Sequence, residues 1–337
     1  MDVISQGENT IVVALEESSQ IGQARRAATL AAAECGLADE DAGRVALVAT
    51  ELATNVLKHA RGGEIQIARV QGRGARGVEV IAVDRGPGFS LVDCLPDGYS
   101  TGGTRGEGLG AVLRQAEVMD MYADHRGAVV MARIYPRGHA DADIRFGATQ
   151  HALHGEPECG DGWGMAIEAG AVCAVMVDGL GHGPAANAAA MACLVTWRAT
   201  PCAEPTEQLA SLNAGMTGTR GGAVAVARFD AASGSLRYAG VGNIAASLHT
   251  GEGSRGLASH PGIVGVQARR SQAFDFPDVA SRLLIMHSDG LQSRWNLRDY
   301  PGLVTRHPAV ITALLHRDFV RGRDDATVFA IRLEARP

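Results

Sequence analysis

Apolar positions recur along this chain with two different periods, and the change from one to the other divides it. Between residues 40 and 59, Val45, Val48, Leu52 and Val56 fall three and four apart, which predicts a helix with one buried face. A second helical stretch covers 21–34. Apolar runs at 11–15, 64–70 and 78–83 predict strands. A glycine-rich loop follows from Asp97 to Gly110, then a helix to about Val118 and strands near 121–124 and 128–135. Beyond residue 143 short apolar runs dominate, at 144–153, 164–168, 172–177, 222–229, 235–238, 245–249, 283–287 and 326–333. Helical patterns there are confined to 185–198, 207–216 and 309–317. Dense short strands with a few helices predict a β-sandwich under helical cover. The stretch from Tyr135 to Asp143 is polar, holds Pro136 and Gly138, and has no periodicity. It is expected to join two domains, 1–136 and 144–337, with 137–143 as linker.

Composition narrows the function. At 337 residues and 46% hydrophobic, the chain can bury two cores. A net charge of −6 and a pI near 6.0 leave no basic footprint for nucleic acid. No apolar run approaches the roughly eighteen residues of a membrane-spanning helix. Met1-Asp2-Val3-Ile4 lacks the basic start of a signal peptide. A cytoplasmic protein without membrane or nucleic-acid partners is expected. Cys35, Cys94, Cys159, Cys173, Cys193 and Cys202 are scattered with no C-x-x-C pair, so free thiols are expected.

The first half carries one chemical constellation. Glu51 and Asn55 lie four apart on a predicted helix and share a face. An amide oxygen there can complete Mg²⁺ coordination, and the carboxylate can deprotonate a hydroxyl. Asp84-Arg85-Gly86-Pro87-Gly88 ends a predicted strand with an acceptor suited to the exocyclic amine of adenine. Thr101-Gly102-Gly103 and Gly106-Glu107-Gly108-Leu109-Gly110 lead into a helix, where backbone amides can approach phosphates. Taken singly, the helix pair would be a solvated face and the loop a common lid; their order along the chain is the signal. With Thr50-Glu51-Leu52-Ala53-Thr54-Asn55 and the run from Asp97 to Arg114, these residues resemble the ATPase superfamily of gyrase, Hsp90 chaperones and histidine kinases. Within it they look most like the anti-sigma-type serine kinases, in particular the stressosome switch kinases (RsbT-like), over about residues 8–136. The resemblance implies an α/β sandwich that binds ATP and Mg²⁺. In it Glu51 would be the catalytic base, Asn55 the Mg²⁺ ligand and Asp84 the adenine acceptor. Gly86, Gly88, Thr101, Gly103, Gly106, Gly108 and Leu109 would line the nucleotide. Gly110 departs from the proline common in that kinase type.

The second half carries another. Asp161, Asp178, Asp289 and Asp324 each stand at a predicted strand end or turn, with Asp325 and Glu158 nearby. One Asp-Gly is a turn former; four carboxylates in matching places suit hard divalent cations and a two-metal hydrolase. His182 reads equally as a proton donor or as a turn residue. Cys159-Gly160-Asp161, Asp178-Gly179-Leu180-Gly181-His182-Gly183, Thr219-Arg220-Gly221-Gly222, Gly240-Val241-Gly242-Asn243, Ser288-Asp289-Gly290 and Asp324-Asp325-Ala326-Thr327 resemble the type 2C protein phosphatases of the sporulation stage II E branch, RsbX-like within it, over about residues 144–335. The resemblance implies an α-β-β-α sandwich. Asp161 and Asp178 would bridge two Mn²⁺ or Mg²⁺ ions, the Gly179 carbonyl would complete one shell, and Asp289 and Asp324 would hold the second ion. Asp325 stands where many relatives have Asn. No N-terminal phosphate-binding arginine is evident, which leaves phosphate recognition to the metals or to Arg220.

Together the two resemblances imply a switch regulator. It would phosphorylate and dephosphorylate serine or threonine on a STAS-domain anti-anti-sigma or stressosome-type partner. The rival expectation is a phosphatase whose ATP domain sequesters a partner or gates hydrolysis without transferring phosphate.

Overall fold

The computed structural model describes residues 3–7, 10–60, 62–89, 108–139, 141–266 and 272–334. Two compact units emerge: Thr10–Ile144, and Arg145–Pro337 together with Met1–Asn9. The first strand, β1 (Val3–Gln6), therefore belongs to the second unit and not to the first domain, where the sequence reading put it. It pairs antiparallel with a strand that begins at Asp161. A partner so far away in sequence leaves no local mark.

In the first unit an antiparallel sheet runs in the order β2-β3-β4-β6-β5, with β2 (Ile11–Leu15), β3 (Gly63–Gln71), β4 (Arg76–Asp84), β5 (Val118–Asp124) and β6 (Gly127–Ile134). Among the described residues three helices pack on it: α1 (Ser19–Glu34), α2 (Asp39–His59) and α3 (Gly108–Gln115). Three acids, Asp39, Glu40 and Asp41, start α2, where negative charge suits the helix dipole. The predicted face of α2 is the buried one: Val45, Val48, Leu52 and Val56 meet Leu15, Ile65, Ile67, Val78 and Val80 of the sheet. Arg44, buried on the same helix, donates to the Gln115 carbonyl at the end of α3, to Asp41 (2.7 Å) and to the Tyr135 carbonyl (3.0 Å). That one guanidinium fixes the far end of α3.

The end of the expected linker is held against this unit. Arg133, wholly buried, donates to Glu79 (2.7 Å), to Asp143 (2.8 Å) and to the Ile144 carbonyl (2.9 Å). Ala142 is buried beside Val70, Ala75 and Tyr135. A polar sequence read as a spacer is here satisfied by a buried cation.

The second unit contains two antiparallel sheets. One has six strands in the order β1-β8-β9-β10-β11-β14, with β8 (Asp161–Glu168), β9 (Ala171–Gly179), β10 (Gly222–Asp230), β11 (Ser235–Val241) and β14 (Phe274–Phe276). The other runs β13-β12-β15-β16-β7, with β7 (Phe146–His151), β12 (Ala245–His249), β13 (Ser254–Leu257), β15 (Leu283–His287) and β16 (Ala326–Arg332). Phe146, Trp163 and Phe329 meet between the sheets, with ring centroids 5.4 to 6.4 Å apart. α4 (Pro184–Ala199) and α5 (Pro205–Gly215) cover the six-stranded sheet, where Leu194, Trp197, Leu209 and Leu212 pack on Val175, Val177, Val224 and Val226. α6 (Pro308–Phe319) lies on β7 and β16. The layer order is helix, sheet, sheet, helix. Among the described residues no helix is long and apolar enough to cross a membrane.

Cys173 and Cys202 are joined in a disulfide, with Cα atoms 5.5 Å apart, where free thiols were expected. Their separation of 29 residues is closed by the turn from β9 through α4, which spacing alone does not reveal. Cys35, Cys159 and Cys193 are free; Cys94 lies outside the described residues.

Candidate functional site

The two constellations fall in different units, and each is assembled by its own fold. In the first unit, Glu51 and Asn55 project from α2 toward the start of α3. A Cβ built on Gly108 would lie 3.2 Å from both a Glu51 carboxylate oxygen and the Asn55 side-chain oxygen. The pair thus meets the amino end of a helix, where unpaired backbone amides favour anions. Asp84 ends β4. Its Oδ1 accepts the amides of Gly86 (2.8 Å) and Ala128 (3.2 Å), which pins the carboxylate at the strand end. Gly88 has φ +72°, and a Cβ there would lie 2.1 Å from the Asp124 carbonyl. Only glycine lets the turn after Asp84 pass this close to β5. Leu109 is half-buried in the first turn of α3 and packs against the core. Thr101, Gly103 and Gly106, expected to line the nucleotide, lie outside the described residues.

In the second unit, Asp161 opens β8 and pairs in register with Asp178 on β9. Asp161 is buried, and Ser288 donates to its Oδ2 at 2.6 Å. Burial and the neighbouring Asp178 hold the Asp161 carboxyl well above the usual range. Burial, then Asp289 and Asp324, push Asp178 up to about 7. Asp324 is raised too, by burial with Asp289 adding. These four carboxylates therefore feel one another electrostatically. They do not form a closed cage: among the described residues no three His, Cys, Asp or Glu side chains are grouped as a metal-holding set. The donor chemistry still fits hard divalent cations, because mutual repulsion and burial are what a cation relieves.

The surrounding backbone is built for close approach. Gly179 donates its amide to the Gly160 carbonyl (2.9 Å), placing it beside Asp161. A Cβ on Gly290 would lie 1.9 Å from the Asp325 carbonyl, so the Asp289 turn lies flat against the Asp325 backbone. Asn243 donates to Asp289 Oδ2 at 2.7 Å. Asp325 is occupied otherwise: Oδ1 accepts the Leu153 amide (2.7 Å) and Oδ2 the Gly160 amide (2.6 Å). It ties together the loops that flank Asp161. His182 stands 3.6 Å from Glu156, exposed, while Glu158 is exposed at the rim. The Arg220 guanidinium lies near the Gly181 turn, 3.3 Å from where a Cβ would be.

Three contributors carried no assigned role in the sequence reading. Ser288 and Asn243 stand inside motifs already singled out, but no spacing rule assigns a serine or an asparagine to orienting a carboxylate. Asp325 was legible as an acid and not as a clamp, because its partners are backbone amides.

Comparison with known proteins agrees with this division. The family model for the histidine kinase-like ATPase domain matches residues 14–134, and that for stage II sporulation protein E matches residues 168–334. The chain is 38% identical over 92 residues to the serine/threonine-protein kinase RsbT of Bacillus subtilis (strain 168), covering 27% of this chain and 69% of that one. A solved structure described as the bacterial stressosome, a modular system that has been adapted to control secondary messenger signaling, is 25% identical with a TM-score of 0.52. It covers 55% of this chain and 97% of that chain. The structure of RsbX in complex with magnesium is 21% identical with a TM-score of 0.49, covering 54% of this chain and 92% of that one.

Proposed function

Because the chain belongs to the RsbT kinase family and joins it to a stage II sporulation protein E domain, we propose that it is a two-way switch enzyme. The second half is a type 2C protein serine/threonine phosphatase. The first half is a kinase homologue that phosphorylates serine or threonine on a partner. That partner is a cytoplasmic STAS-domain protein of the anti-anti-sigma or stressosome type. Phosphate adds close to two negative charges, enough to dissolve or create an interface.

In the kinase half, Glu51 would take the hydroxyl proton of the accepting residue and Asn55 would offer its amide oxygen to Mg²⁺. Asp84 would accept the adenine amine, and the amides that open α3 would meet the phosphates. In the phosphatase half, two Mn²⁺ or Mg²⁺ ions would be held by Asp161, Asp178, the Gly179 carbonyl, Asp289 and Asp324, and would supply Lewis acidity and a water of lowered pKa. Ser288 orients Asp161, and Asn243 orients Asp289. Arg220, beside the Gly181 turn, would meet the substrate phosphate.

The observation that carries the reading is the meeting of Glu51 and Asn55 at Gly108. A domain that only sequestered a partner would not need a base and an amide aimed at one helix start. Glu51→Gln separates the readings. It should keep ATP binding by calorimetry yet transfer no γ-phosphate to a STAS partner. If the unaltered chain binds ATP but labels no STAS candidate, the ATP domain sequesters or gates.

A further inference from the structure

Away from both constellations, the second unit holds a cavity of about 250 Å³ between the β12–β13 turn and the segment 296–304. Its size is below the roughly 300–1,000 Å³ of drug-sized sites, so it suits a small metabolite or ion. Its lining includes His249, Thr250, Ser254, Asn296 and Arg298. Arg298 is the one side chain among the lining residues that is charged at neutral pH, and no carboxylate lines the wall. Glu252 and Asp299 adjoin lining residues in sequence but do not line it themselves. Asp318, the nearby acid, is engaged by the Tyr300 hydroxyl (2.7 Å) and by Arg317 (2.8 Å). A second guanidinium, Arg332, donates to the Val304 carbonyl at the cavity wall (2.5 Å).

Among the lining side chains, Asn296 is turned to donate. The Asn296 side-chain oxygen is used on the Arg298 amide (3.0 Å), which leaves the amide NH₂ to give. His249 is buried and shares a 2.7 Å hydrogen bond with Ser247 through Nε2. Burial pushes it down to about 4, so the ring is neutral and Arg298 alone among the lining side chains supplies positive charge.

One flank of the cavity is continuous with the phosphatase carboxylates. The His249 ring stacks on Trp295, with centroids 5.3 Å apart. Trp295 meets His287 at 5.8 Å, His287 Nδ1 bonds the Ser288 carbonyl (2.8 Å), and Ser288 holds Asp161. Trp295 does not itself line the cavity; it touches it through the His249 ring, so a ligand that shifts His249 changes the surroundings of the indole.

We propose that this cavity is a binding site for a small oxyanion, a phosphate or a dicarboxylate, held by Arg298 and the Asn296 amide and sensed by Trp295 through the His249 ring that lines the wall. A guanidinium fork matches both anion types, so their shared chemistry defines the site.

The test is a fluorescence titration of the full chain with inorganic phosphate and, separately, succinate, at ionic strength held constant with chloride. Trp163 and Trp197 are core residues, so the change should come from Trp295. A saturable change is expected with at least one of the two anions. It should vanish in Trp295→Phe and weaken by about tenfold or more in Arg298→Met. Arg298 is exposed, and its substitution should leave the melting curve unchanged. The change should persist in Asp178→Asn, which separates this site from phosphate bound among the carboxylates. Response to phosphate alone, to succinate alone, or to both identifies the source of the oxyanion. Absence of a saturable change with both anions overturns the proposal. So does a titration that Arg298→Met leaves unaltered, or one abolished by Asp178→Asn.

Discussion

Replacing Asp325 by Asn should unfold the phosphatase half more readily without touching a proposed metal ligand. The native carboxylate accepts two buried amides, Leu153 N–H at 2.7 Å and Gly160 N–H at 2.6 Å. Hydrogen bonds to a charged acceptor contribute about 1.5–3 kcal/mol each. Asparagine keeps one carbonyl oxygen, now neutral, and points an NH₂ at the other amide, donor against donor. The loss is then roughly 2–4 kcal/mol. An opposing effect exists, since removing this charge relieves repulsion on Asp161 and Asp178. Desolvation dominates those two shifts, and Asp325 is the smallest of the causes at each. The lost hydrogen bonds should win. For a unit of this size about 1 kcal/mol moves Tm by 2–4 °C, so a drop of roughly 5–15 °C is expected in a calorimetric melt without added metal. Asp324→Asn is the comparison. Asp324 accepts one hydrogen bond, from the Asp325 amide at 3.0 Å, so the Asp324→Asn melt should barely move while hydrolysis falls. An Asp325→Asn protein melting within about 2 °C of the unaltered chain would refute the clamp.

Asn55→Ala should abolish Mg²⁺-ATP-dependent phosphate transfer with an unchanged melt, because Asn55 is only half-buried; transfer at the normal rate, measured with labelled ATP, would remove it from the site. Arg133→Met should cost the first unit about 3–5 kcal/mol by stranding Glu79 and Asp143, read as a lower urea midpoint, and adding Glu79→Gln should recover part of the loss. Acid should destabilise the second unit through His151 and His316, whose rings lie 3.9 Å apart. Burial pushes His151 from 6.5 down to about 4, and burial with His151 itself lowers His316. The unfolded chain gains protons first, so stability should be full above about pH 6.5 and fall as pH drops through 4; His151→Gln should flatten that slope, and an unchanged slope would count against the pair.

Local pattern made much of the fold legible, and its failures have physical causes. Val45, Val48, Leu52 and Val56 marked the buried face of α2 because a helix core repeats every three or four residues. Asp178 and Asp289 stood out because each follows an apolar run in the sequence. β13 (Ser254–Leu257) was missed, since an edge strand exposed along three of its four residues needs no apolar alternation. β14 is too short at three residues to show a period. β1, the Cys173–Cys202 bridge and the Arg133 clamp all depend on partners remote in sequence, and spacing carries no record of them. The acids of the phosphatase half were visible as acids, but Asp325 could be told from Asp324 only by its two backbone partners.

The central claim is that one chain writes and erases the same phosphate. Steady-state ADP release in the presence of a STAS partner, Mg²⁺ and Mn²⁺ tests it most directly. The unaltered chain should release ADP and inorganic phosphate continuously while phosphopartner stays low. Asp178→Asn should release ADP only until the partner is fully phosphorylated, then stop, with phosphopartner at stoichiometry. Continued ADP release by Asp178→Asn, or no ADP release by the unaltered chain with any STAS partner, would contradict the account.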